Sequence, residues 1–199
     1  MNPTVMVAEH LLSERRPLGA KWDKLMMWLF LGSDAMGFAG LLGAYAALRM
    51  GDEGWPIPQQ ILGINFTAVM TFVLICSSVT MVKSFEAIQK DDRVACWRWL
   101  FGTFIGGVFF LAGQCYEYTH LIDEGVTLKS GNFAATFFCT TGFHGCHVLG
   151  GVILLGIALA RVSTGKLTAA HANFVENVGL YWHFVDLIWI LVFTFIYLM

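Results

Sequence analysis

Residues 179–199, GLYWHFVDLIWILVFTFIYLM, constrain this chain more than any other stretch. They form an almost wholly apolar run interrupted only near its start by His183 and Asp186. A helix of about 20 such residues, rising about 1.5 Å per residue, matches the roughly 30 Å hydrocarbon core of a bilayer. The pattern therefore predicts a membrane-spanning helix. His183 and Asp186 are three residues apart and share a face, which continues back through Gly179 to Glu176. An ionisable group turned to lipid costs about 2.5–3.5 kcal/mol at mid-membrane, so this stripe must look at protein. The helix needs partners.

Four earlier apolar runs supply them, at residues 25–48, 61–82, 99–118 and 133–160. Short polar connectors carrying turn residues, among them Pro56, Pro58 and Gly131, separate the runs. The expected organisation is a polar tail over residues 1–24 and a five-helix transmembrane domain over 25–199, its last span covering 178–199. The fold class is all-α membrane protein. Composition agrees: 57% of residues are hydrophobic and 13% charged, against about 25% charged in soluble domains. A net charge of −2 without a basic patch gives no reason to invoke nucleic acid as a partner. Residues 1–24 carry Glu9, Glu14, Arg15 and Arg16 where a cleavable signal peptide would have an apolar core. Lysine and arginine crowd the tail and the second and fourth connectors, ten residues against Arg49 and Lys129 in the first and third. The bias predicts a cytoplasmic N-terminus and an external C-terminus. The five cysteines show no CxxC spacing and read as small buried hydrophobes, with one bridge between Cys115 and Cys139 left open.

Every span carries polar groups. In the first, Ser33 and Asp34 precede Gly37, Gly40 and Gly43, a spacing that lets another helix backbone approach closely. Asp34 lies roughly 13 Å into its span, where a carboxylate is stable only when paired or protonated. It is either a proton-carrying or headgroup-sensing acid, or a helix-packing acid. In the second span Thr67, Thr71 and Ser78 share a face, the arrangement of interhelical hydroxyl bonds. The third has Gly102 and Gly106 in GxxxG spacing, then Gln114 and Glu117 on one face near its end. In the fourth, Thr140, His144, His147 and Gly151 form one continuous stripe.

His144, His147, His183, Asp186 and Asp34 thus fall at comparable depth, and bundling could bring several together. Imidazoles from two helices could ligate a haem or a metal, which makes a free-standing membrane haem protein held by His144 or His147 with His183 one reading. The other is a hydrogen-bonded network that fixes helix register without chemistry. Nucleophilic catalysis has little support, since no Ser or Cys is visibly paired with a base and no phosphate-cradling loop is present.

The motif TGFHGCHVLGG at 141–151, followed by GLYWHFVDLIW at 179–189, resembles subunit III of the haem-copper terminal oxidases, the cytochrome c oxidase subunit 3 family. FLGSDAMGFAGLLGAY at 30–45, Asn65 with SSVT at 77–80, and GQCYEYTHL at 113–121 follow that family in the same order. The resemblance implies the short five-span form, which lacks the extra helix pair that walls a lipid-filled cleft in seven-span relatives. It places Asp34 where the family has a buried glutamate open to carbodiimide attack. It further implies a subunit with no cofactor of its own, haem and copper residing in partner subunits. Its expected role is to pack against catalytic subunit I and other oxidase subunits, hold phospholipid, and support proton uptake and stability, in a bacterial inner membrane. Asp34 is then the candidate functional acid, while Glu117, His144, His147, Glu176, His183 and Asp186 make up the interhelical polar network. No catalytic or metal-binding residue is implied. The same subunit could serve a quinol oxidase or a nitric oxide reductase system.

Overall fold

The computed structural model describes residues 22–168 and 171–199. Five long helices dominate it: α1 (Trp22–Gly51), α2 (Ile64–Gln89), α3 (Arg93–Asp123), α4 (Asn132–Ser163) and α5 (Ala172–Val192). A π-helical turn, Phe193–Leu198, continues α5, and a short helical turn, Pro58–Ile61, precedes α2. All five helices are long and apolar enough to cross a membrane. Among the described residues there is no strand.

Each helix outruns the apolar run that announces it. The tail expected over 1–24 lies outside the described residues as far as 21, whereas Trp22, Asp23 and Lys24 already belong to α1. The second span starts at Ile64, after the turn at Pro58, and runs on through charged residues to Gln89. The physical reason is that helices continue into the headgroup zone, where polar side chains reach water while the backbone keeps its hydrogen bonds.

The turns between helices show why the chain reverses where it does. Asp92 caps α3 by accepting the Ala95 amide at 2.9 Å, after Asp91 adopts φ 55°. Gly125 (φ 83°) and Gly165 (φ 69°) close α3 and α4 in the left-handed conformation. Behind them the Val126 amide bonds the Leu121 carbonyl, and the Lys166 amide that of Arg161.

Helices α2, α3, α4 and α5 form a ring in which neighbours pack side by side, and α1 lies outside it against α4 and α5. Half of the most apolar stretch of α5 is covered by protein, against 11% for α1. The helix with the polar stripe is therefore central and the helix with the glycine stripe peripheral. Lys24 of α1 pairs with Glu176 near the start of α5, and Arg49 donates to the Met199 carbonyl at the other end. Helices α1 and α5 accordingly run in the same direction.

Glycines set the closest approaches inside the ring. The Trp182 indole of α5 is wedged between α3 and α4: a Cβ at Gly107 would lie 2.5 Å from its ring, and one at Gly151 2.8 Å. Gly106 meets the Cβ of Ser77 at 2.9 Å by the same construction, so Gly106 carries the tight approach of the GxxxG pair, while Gly102 has ordinary spacing. Gly37, Gly40 and Gly43 have nothing within 4 Å. Among the described residues, no helix fills the groove expected there.

The cysteines depart from expectation. Cys96 alone is buried; Cys76, Cys115, Cys139 and Cys146 are exposed on helix surfaces, and all five are free, with no bridge between Cys115 and Cys139. A lipid-facing surface suits a small apolar side chain as well as a core does, so apolar context alone does not tell the two apart.

Candidate functional site: polar groups on the helix seams

The polar residues expected at one depth are distributed over several helix seams. Asp34 of α1 meets His147 of α4, with His147 Nε2 2.9 Å from Asp34 Oδ2. The other ring nitrogen, Nδ1, lies 2.8 Å from the Phe143 carbonyl oxygen one turn earlier. A carbonyl can only accept, so Nδ1 carries the hydrogen. Phe38 of α1 packs edge-on to His147 at 5.2 Å between ring centres, and Tyr181 of α5 donates to the His147 carbonyl at 3.0 Å.

The second group joins α2 and α5. Ser78 Oγ donates to Asp186 Oδ2 at 2.7 Å, and His183 Nδ1 lies 3.1 Å from Ser78 Oγ. Ser78 spends its single hydrogen on the carboxylate, so His183 must donate from Nδ1. Asp186 Oδ1 is buried without a hydrogen-bond partner. Trp182 and Trp189 on the same helix donate from their indole nitrogens to Ser77 Oγ at 3.0 Å and Thr71 Oγ1 at 2.8 Å. Ser77 and Thr71 of α2 thus serve as acceptors for α5, while Ser78 donates to it.

Glu117 of α3 is buried and accepts three hydrogen bonds: from Thr67 of α2 at 3.1 Å, Gln114 at 3.4 Å and Tyr197 at 2.7 Å. Tyr197 sits in the π-helical turn, whose wider coil carries it towards the bundle axis beside the buried Ile196. Glu176 lies apart from all these, paired with Lys24 near the end of the bundle.

His144 stands alone. It is fully buried with both ring nitrogens unpartnered, stacked on Trp189 at 4.9 Å and flanked by Phe38 and Phe110. Of His144, His147, His183, Asp34 and Asp186, the structure brings together Asp34 with His147, and His183 with Asp186 through Ser78, while His144 joins neither. A shared depth fixes height along the bundle, not azimuth, and each helix turns its polar residue to a different neighbour. Sequence reasoning did not single out Lys24, Trp182, Trp189 or Tyr197. The aromatic ones carry a polar atom on an apolar body, and only the placement of a neighbouring acceptor reveals that atom as a donor.

These groups define a class: a multi-pass helical membrane protein whose interior acids take hydroxyl and amide donors or face an imidazole across a helix seam. Among the described residues, no three or more His, Cys, Asp or Glu side chains are grouped as a metal site. The family model of cytochrome c oxidase subunit III matches residues 9–199. The chain is 41% identical over 170 residues to the probable cytochrome c oxidase subunit 3 of Nocardia farcinica, covering 85% of this chain and 84% of that one. It is 40% identical over 172 residues to cytochrome c oxidase subunit 3 of Corynebacterium diphtheriae, with the same coverage. It is 41% identical over 170 residues to the probable cytochrome c oxidase subunit 3 of Mycobacterium leprae, again over 85% and 84% of the two chains. The chain belongs to the cytochrome c oxidase subunit III family, as its motifs at 141–151 and 179–189 imply.

Proposed function

We propose that this chain is the redox-inactive third subunit of a bacterial cytochrome c oxidase. It packs against the catalytic haem-copper subunit, binds phospholipid, and supports proton uptake and durability of the oxygen-reducing site. In this reading it resides in the inner membrane with its N-terminus in the cytoplasm. The observation that carries the reading is the family match over residues 9–199, with the pair Asp34–His147 at the position of the family acid. The thin cover over α1 supports it as well, because that helix leaves most of its surface to lipid or partner. Lys24 and Glu176 end the bundle on the side where the lysine and arginine bias puts the cytoplasm. The relatives bear the name cytochrome c oxidase, which favours that donor over quinol.

A free-standing haem protein fits the geometry poorly. Both nitrogens of His147 are engaged, His144 is enclosed by aromatic rings, and His183 turns to α2. The decisive experiment is purification of the tagged chain in mild detergent. A haem-copper subunit should accompany it in fixed ratio, with all haem absorbance belonging to that subunit. A chain that purifies without one, or keeps a stoichiometric Soret band by itself, would overturn the proposal.

A further inference from the structure

We propose that Asp186 is a reversibly protonated site, reached from the Lys24–Glu176 end of the bundle through His183 and Ser78.

Three observations meet here. The first is a chain of donors with one direction: His183 Nδ1 gives to Ser78 Oγ, and Ser78 gives to Asp186 Oδ2. The second is the unmet oxygen at its end, since Asp186 Oδ1 is buried with no partner. A buried ionised carboxylate is costlier than a neutral acid, and an oxygen without donors adds to that cost. The third is an open, mostly apolar groove of about 160 Å³ between α2 and α5, lined by Met81, Phe85, Gly179 and Leu180, with Glu176 and His183 along its wall. With Nδ1 committed to Ser78, the remaining His183 nitrogen, Nε2, is the one free to take a proton. Glu176 and Lys24 keep partly exposed side chains at the end of the groove. Asp186 follows Glu176 by ten residues, about 15 Å along the helix.

The transfer balances without a redox partner. A hydronium ion arriving from the Lys24–Glu176 end gives its proton to His183 Nε2 and becomes water. The Nδ1 proton passes to Ser78 Oγ as the Ser78 hydroxyl proton moves to Asp186 Oδ2. The products are a neutral imidazole protonated on Nε2, an intact hydroxyl and a neutral carboxylic acid; the reverse sequence releases the proton. Other charged groups on the neighbouring helices are engaged elsewhere. Lys83 of α2 lies over the Trp99 ring, Asp34 of α1 is held by His147, and on α4 His144 is walled by aromatic rings. Lys24 of α1 pairs with Glu176, so Ser78 is the polar group that meets Asp186 directly.

The test is infrared spectroscopy of the full-length protein, purified with whatever subunits accompany it, during transfer from H2O to D2O across a range of pH. The wild type should show a carboxylic C=O band that is lost in Asp186→Asn, grows on acidification and shifts promptly on deuteration. Ser78→Ala should keep the band but slow its deuteration about 100-fold, the scale of a positioned proton-transfer group, and Ser78→Thr should restore the wild-type rate. If Ser78→Ala does not assemble, His183→Phe removes the first relay group while leaving the Ser78–Asp186 bond in place, and it should slow exchange likewise. The absence of any band lost in Asp186→Asn would overturn the proposal. So would unchanged exchange in Ser78→Ala, or in His183→Phe where that variant stands in for it.

Discussion

His147 Nε2 lies 2.9 Å from Asp34 Oδ2 while its Nδ1 faces the Phe143 carbonyl at 2.8 Å. Because Nδ1 must donate to that carbonyl, Nε2 is the nitrogen left to face the carboxylate, and the 2.9 Å approach joins α1 to α4 without completing a hydrogen bond to Oδ2. Asp34→Asn keeps the contact, since an amide N–H can donate to Nε2, and should cost about 1 kcal/mol. His147→Leu removes the ionisable group that Asp34 Oδ2 faces and should cost about 3–5 kcal/mol. Titration of the detergent-solubilised protein with dodecyl sulfate, followed by tryptophan fluorescence, measures both. Equal losses would show that the imidazole does not hold the Asp34 side chain.

The same pair sets carbodiimide reactivity. Asp34 sits on the peripheral helix with part of its side chain exposed, whereas Glu117 and Asp186 are buried inside the ring. A hydrophobic carbodiimide should modify Asp34 first, as read by peptide mass mapping at increasing reagent. Modification of Glu117 or Asp186 ahead of Asp34 would contradict this arrangement.

Glycine substitutions separate the packed seam from the open one. Gly107→Ala drives a methyl into the Trp182 ring and into Val152, whose Cγ2 would lie 2.7 Å away. Overpacking of this kind costs about 1–3 kcal/mol, more than the roughly 1 kcal/mol gained by replacing glycine in a helix. Gly37→Ala and Gly40→Ala meet nothing among the described residues and should leave unfolding of the chain unchanged or slightly harder. Comparing the three in the dodecyl sulfate titration checks the prediction.

These contrasts also mark what the sequence makes legible. The five spans are readable because burying a backbone in hydrocarbon demands about 20 apolar residues at a time. The ends are not, since Asp23 and Lys24, or His120 and Asp123, remain helical in the headgroup zone. Spacing within a helix puts His183 and Asp186 on one face. The hydroxyl that links them, Ser78, lies more than 100 positions away, and nothing local to α5 points to it. The same holds for Asp34 and His147. Glycine spacing proved equally silent about which stripe is filled: Gly106 and Gly107 are packed and Gly37 and Gly40 are open, because filling depends on which helix arrives opposite.

Glu117 gathers donors from three parts of the chain, and its substitutions should rank by how many of them keep an acceptor. Glu117→Ala leaves Gln114 and Tyr197 without their shared oxygen Oε2 and Thr67 without Oε1. Unpaired buried donors cost about 1–3 kcal/mol each, less what rearrangement recovers, so the total should be about 3 kcal/mol. Glu117→Gln should be far milder. Its carbonyl oxygen can take the place of Oε2, and its amide can donate to Thr67, whose hydroxyl then bonds only the Gly63 carbonyl, 3.2 Å away. Tyr197→Phe removes one donor and should cost about 1.5–3 kcal/mol if the carboxylate is ionised, but only about 1 kcal/mol if it is neutral. Thermal unfolding of the three variants beside the wild type gives the order Ala, Phe, Gln from most to least harmful for an ionised Glu117. A Gln variant as damaged as the Ala variant would mean that Thr67 cannot turn, and that the cluster requires the charge itself.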